Sequence, residues 1–159
     1  MGPHAVILEQ HVTPVRRPDW ASRLHTYLVT HSQDKFGYGQ LDCCLFAADC
    51  IREMTGMDLA APFRGQYRSR KAALAAIRAY AGSSSVQAIA EKVFSEHGLE
   101  KVPVLSAGRG DIVLLERSTD YSLGLIDFNG RDVLVISRRG LWRLPLSQIR
   151  LQAVCAWRV

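Results

Sequence analysis

The 159-residue chain predicts a single α+β domain, with N-terminal helices packed on a C-terminal antiparallel sheet of about five to six strands. Three observations carry that prediction. Up to residue 98 the apolar residues recur at helical spacing, in segments that open on Asp or Ser and close on Gly. Beyond residue 101 the pattern changes to short strand-like runs divided by turn residues. The length suits one domain, which at this size buries about 68–70 % of its unfolded surface and needs no staple.

Residues 1–17 alternate weakly, Val6 and Leu8 against Glu9 and Gln10, and end in Pro-Val-Arg-Arg-Pro. They read as an arm or an edge strand, able to pack on another subunit, ahead of a domain spanning 18–159. Asp19 then caps a helix running to about Ser32, with Trp20, Leu24, Tyr27, Leu28 and His31 on one face. His25 and His31 belong to this helix and are expected to be structural or exposed.

Residues 36–47, Phe-Gly-Tyr-Gly-Gln-Leu-Asp-Cys-Cys-Leu-Phe-Ala, are built for a site rather than for bulk. Gly37 and Gly39 allow a tight, shaped loop. Asp42 ends it and is the expected N-cap of a second helix, whose buried face is Cys43, Phe46, Ala47, Cys50, Ile51 and Met54. A cysteine in the first turn has its thiolate stabilised by unpaired backbone N–H groups and the positive end of the helix dipole, which makes Cys43 the candidate nucleophile. The plain alternative is a small buried hydrophobe.

Gly56 is suited to end this helix, and residues 58–66 form a loop. Ser69 caps a third helix with Ala73, Leu74, Ile77 and Tyr80 inward and Gly82 as its stop. A fourth starts at Ser84 or Ser85, turns Val86, Ile89, Ala90, Val93 and Phe94 inward, and ends by Gly98 with His97 in its last turn. The pair, at about 69–98, suggests a helical insert or lid beside the site. Strands are expected at 101–105, 111–117, 121–128, 133–137, 140–144 and 151–157, with Asn129-Gly130 the clearest hairpin signal.

Composition excludes several classes. The four cysteines, three of them crowded on one predicted helix, form neither a disulfide framework nor a zinc pattern. No metal and no cofactor is expected. The net charge of +5 is dispersed. Its densest parts, residues 64–71 and Arg138, Arg139 and Arg143, are expected to be solvated, and no recognition helix or stacking platform supports a nucleic-acid partner. No apolar run is long enough to span a membrane, and residues 1–14 lack the pattern of a secretion signal.

The run Phe36, Gly37, Tyr38, Gly39, Asp42, Cys43 resembles the nucleophile segment of NlpC-type papain-like cysteine peptidases, many of which cut bacterial cell-wall peptides. Residues 108–115 and 122–130 resemble that family's second signature, a Gly-Asp strand followed by a His-x-Gly strand whose histidine is the general base. Aligning Gly124 with that glycine puts Ser122 in the histidine's place. Serine has no basic group to accept a thiol proton near neutral pH. Asp127 and Asn129 nearby are poor substitutes for an imidazole. The Asp-Cys helix, Met54-Thr55-Gly56-x-Asp58, Arg64-Gly65-x-Tyr67, the late Gly-Leu-Trp-Arg run and the terminal Ala-Trp-Arg-Val are similar to an NlpC-like branch encoded among tail genes of bacteriophages and prophages. The resemblance implies a papain-like fold over about 20–159. It also implies a structural part of a virion tail tip or baseplate that docks to tail hub and distal tail proteins. The alternative it implies is an active peptidase or amidase on peptidoglycan peptides, with Cys43 as nucleophile.

Overall fold

A computed structural model describes residues 12–159. Helix α1 (Trp20–Thr30) is followed by α2 (Cys43–Thr55), α3 (Arg70–Ala81) and α4 (Val86–Glu96). Six strands follow: β1 (Glu100–Val102), β2 (Ile112–Glu116), β3 (Tyr121–Ile126), β4 (Asp132–Ser137), β5 (Gly140–Pro145) and β6 (Ala153–Arg158). They form one antiparallel sheet in the order β1-β6-β2-β3-β4-β5, which is the predicted α+β architecture.

Alternation along the strands sorts their side chains to the two faces of the sheet. Ile112, Leu114, Leu125, Leu134, Ile136 and Trp157 meet Phe46, Cys50, Ile51 and Met54 of α2 together with α1 and α4. Val113, Leu115, Ile126, Val133, Val135 and Ala156 form a thinner cluster on the other face. Full burial of each large side chain contributes about 1.5–3 kcal/mol, so α2, with Phe46, Ile51 and Met54 at 2 % exposure or less, is the keel of the domain. Gly124 sits where β4 crosses closest: a Cβ there would lie 2.5 Å from Val133 Cγ1 and 3.1 Å from the Leu134 carbonyl oxygen.

The predicted elements need some adjustment. The strand expected at 101–105 stops at Val102, because Pro103 has no N–H for the ladder and the chain turns into a 3-10 segment at Val104–Ser106. The last strand begins at Ala153, after a 3-10 turn at Leu146–Gln148 and a turn at 149–152. The expected arm lies outside the described residues up to residue 11. From there to residue 17 no strand forms: Pro14 is buried, Arg17 N–H donates to the Met54 carbonyl (2.8 Å), and Arg16 pairs with Asp111 (2.9 Å). Asp111, of the Gly-Asp signature, also accepts from Gly108 N–H and Val159 N–H, so it ties both ends of the described chain to β2.

The two helices at 69–98 divide in role. α4 is core, with Phe94 edge-on to Trp157 at 4.9 Å between ring centroids. α3 buries only Ala73 and leaves Tyr80 exposed, so it forms a lightly held wall.

Loop 58–66 is fastened by charges that the sequence pattern placed in solvent. Asp49, buried on α2, accepts from Tyr27 Oη (2.6 Å) and pairs with Arg64 (2.7 Å). Arg64 also holds Asp58 through two hydrogen bonds of 2.8 and 2.9 Å. Burial raises the Asp58 carboxyl, but Arg64, the Ala60 N–H and Arg52 more than offset this and leave it below its ordinary value. A depressed folded-state value stabilises the fold above the unfolded value and is lost as pH falls through the folded one. The urea midpoint of the wild type should therefore drop as pH falls below about 4, and more steeply than that of Asp58→Asn. Equal slopes would remove Asp58 from the acid response.

Candidate functional site

The site forms where the N-terminus of α2 meets the start of β3. Asp42 is the N-cap, extended in backbone, and its buried carboxylate accepts three hydrogen bonds: Leu45 N–H (2.9 Å), Gly39 N–H (3.2 Å) and Tyr67 Oη (2.6 Å). Burial first, and then this bond to Asp42, keep the Tyr67 phenol protonated far above neutral pH. Asp42 is thus a positioning residue with its acceptors committed. It fixes the 36–41 loop, the first turn of α2 and the 58–67 loop in one place. Gly65 N–H closes the same junction onto the Gly39 carbonyl at 3.2 Å.

Cys43 is the first residue of α2 and is half-buried. Its thiol is approached by the Cys44 thiol, the Leu123 backbone N–H and the Ser122 hydroxyl. The bond from Cys44 lowers the Cys43 thiol most. Burial opposes it, Leu123 and Ser122 add to the lowering, the Asp42 charge works against them, and the net direction is down. Cys44 goes the other way, raised by its bond to Cys43 and by burial, and burial also raises Cys50 and Cys155. Three predicted site residues, Asp42, Cys43 and Ser122, are therefore brought together.

Cys43 lies in a cleft of about 170 Å³ with Phe36, Tyr38 and Tyr67 on one side, Leu74 and Ile77 of α3 on another, and Asp120 and Ser122 beyond. Arg70 and Asp120 continue from this cleft into a wider polar hollow of about 420 Å³, which adds Arg117 and the serines before α4. Among the described residues no histidine lines either space. His25 faces Phe128, His31 Nδ1 meets Asp34 at 2.6 Å, and His97 Nδ1 meets the Val93 carbonyl at 2.8 Å. His4 and His11 lie outside the described residues.

Asp127 and Asn129 are engaged elsewhere. Asp127 pairs with Arg143 and accepts from Phe128 N–H, while Asn129 orders the β3–β4 turn through Arg131 N–H, Asp132 N–H and the Asp132 carboxylate. Sequence reasoning missed Tyr67, Arg70, Asp120 and the Asp49–Arg64 pair as parts of this region. The Arg-Gly-x-Tyr run was the one signal for Tyr67, and it gave no partner. Among the described residues no group of three or more His, Cys, Asp and Glu side chains is arranged to hold a metal ion.

Fold and site define an α+β protein with a helix-capped thiol facing the central strand of its sheet. The chain belongs to the family described as a domain of unknown function (DUF6950), which matches residues 15–159 and so includes the Arg16–Asp111 tie. No curated protein matches the chain. Among the described residues no helix is long and apolar enough to cross a membrane.

Proposed function

We propose that this chain is an NlpC-like, papain-like domain without its general base, serving as an assembly component of a bacteriophage or prophage tail tip through contacts with tail hub and distal tail proteins. The observation that supports the reading is the lining of the Cys43 cleft: it includes Ser122, which the resemblance aligns with the family's histidine, and among the described residues no imidazole. Cysteine hydrolysis needs a thiolate, a base within hydrogen-bond reach and a group that orients that base. The first is partly supplied here. The resemblance of the Asp42-Cys43 helix, the 54–58 and 64–67 segments, the late Gly-Leu-Trp-Arg run and the terminal Ala-Trp-Arg-Val supplies the tail context.

One observation favours a second reading, hydrolysis of cell-wall peptides. The Cys43 thiol is lowered while the other three cysteines are raised, and the polar hollow beside it offers both an arginine and a carboxylate to a peptide. Replacement of Cys43 by Ala in the virus separates the two. On the assembly reading, Cys43→Ala yields wild-type numbers of complete, infective tails, whereas omitting the protein yields none. Loss of infectivity in particles that still carry the Cys43→Ala protein would overturn that reading in favour of catalysis.

A further inference from the structure

On the sheet face turned away from α2, a hollow of about 430 Å³ is floored by Val135, Leu144 and Trp142 and rimmed by Arg117, Arg138 and Arg139. Trp142 is 48 % exposed. No carboxylate lines this hollow, and none of the three arginines forms an ion pair among the described residues. Other arginines of the sheet are matched: Arg143, next to Trp142, holds Asp127 and Asp132, and Arg158 holds Glu100. Among the described residues, no carboxylate neutralises the three guanidiniums around this half-exposed indole.

We propose that this hollow is the docking site for an acidic segment of a partner protein, with an apolar side chain seated on Trp142 and carboxylates on Arg117, Arg138 and Arg139. Trp and Arg are the residue types that most often dominate protein interfaces, and arginine holds a carboxylate through two parallel bonds. The partner docks by side chains and does not extend the sheet. On the outer edge of β5, Leu141 N–H is already given to the Ser32 carbonyl at 3.2 Å, and Pro145 has no N–H to give. A single exposed ring is also a poor platform for a nucleic-acid strand, which stacks successive bases on several rings. The proposal goes beyond the reading of the Cys43 cleft and needs no assumption about it.

The test is fluorescence anisotropy of three labelled probes on the full chain at moderate salt: a twelve-residue Glu/Leu/Phe peptide, the same peptide with Lys for Glu, and a twelve-nucleotide oligothymidine. The acidic peptide should bind best. Arg138→Glu/Arg139→Glu and Trp142→Ala should each weaken it by about tenfold. Arg68→Glu/Lys71→Glu, the same charge change outside the hollow, should leave it within about twofold. Circular dichroism checks that each variant is folded. Three outcomes would overturn the proposal: no binding of the acidic peptide, equal loss in the Arg68/Lys71 control, or tighter binding of oligothymidine with the same dependence on Arg138 and Trp142.

Discussion

Gly39→Ala will cost the domain about 4 kcal/mol or more, against a total stability of about 5–15 kcal/mol for a typical domain. Gly39 has φ +77°, and an added Cβ would lie 1.8 Å from the Tyr67 carbonyl oxygen and 3.0 Å from its carbon. The obstacle is backbone, so no rotamer change relieves it. Moving the 58–67 loop away would break the Tyr67–Asp42 hydrogen bond and the Gly65–Gly39 contact together. The control is Gly65→Ala, where φ is +71° but nothing lies within 4 Å, so the cost should be only the left-handed strain of about 1–2 kcal/mol. Urea unfolding reads both. A Gly39→Ala midpoint no lower than that of Gly65→Ala would mean the loop is not locked onto the N-terminus of α2.

Ser122→His should raise the alkylation rate of Cys43 by iodoacetamide at pH 7 by about tenfold, since an ordinary thiol is only a few per cent thiolate there and an adjacent imidazole takes its proton. The ring would enter the cleft where the Ser122 hydroxyl now meets the thiol. In the wild type Cys43 should still label ahead of Cys44, Cys50 and Cys155, because it alone is lowered and the last two are buried. Fast labelling of Cys43 by itself is therefore no proof of an enzyme. The pH dependence discriminates: the wild-type rate should keep rising through the thiol range, whereas Ser122→His should level off near the imidazole range of about 6–7. An unchanged profile in Ser122→His would mean that position 122 does not present a base to Cys43.

The helices and most of their ends were legible in the sequence because their causes are local, although Asp19, expected to cap α1, makes no side-chain cap bond and pairs with Arg23 instead. Asp42, Ser69 and Ser85 each cap within three residues of the N–H they accept, and the apolar spacing of α2 and α4 names their buried faces directly. Strand positions followed from alternation and turn residues, and they slipped where Pro103 and the turns after Pro145 broke the pattern and at β3, which ends at Ile126 rather than Phe128. Placing Cys43 at the helix start and opposite Ser122 needed nothing beyond a cap and a motif order.

Other features depended on which distant segments came together. Tyr67 meets Asp42 across 25 residues, Tyr27 meets Asp49 across 22 and Arg16 meets Asp111 across 95. Arg64 and Arg143 looked like solvated charges and turned out to be matched to Asp49, Asp58, Asp127 and Asp132. Arg138 and Arg139, from the same basic stretch as Arg143, form no ion pair among the described residues. Local spacing fixes which face of an element is apolar, because periodicity belongs to the element alone. Whether a charge is neutralised, or a hydroxyl faces a thiol, is set by the packing of elements far apart in the chain, and the folded domain alone decides it.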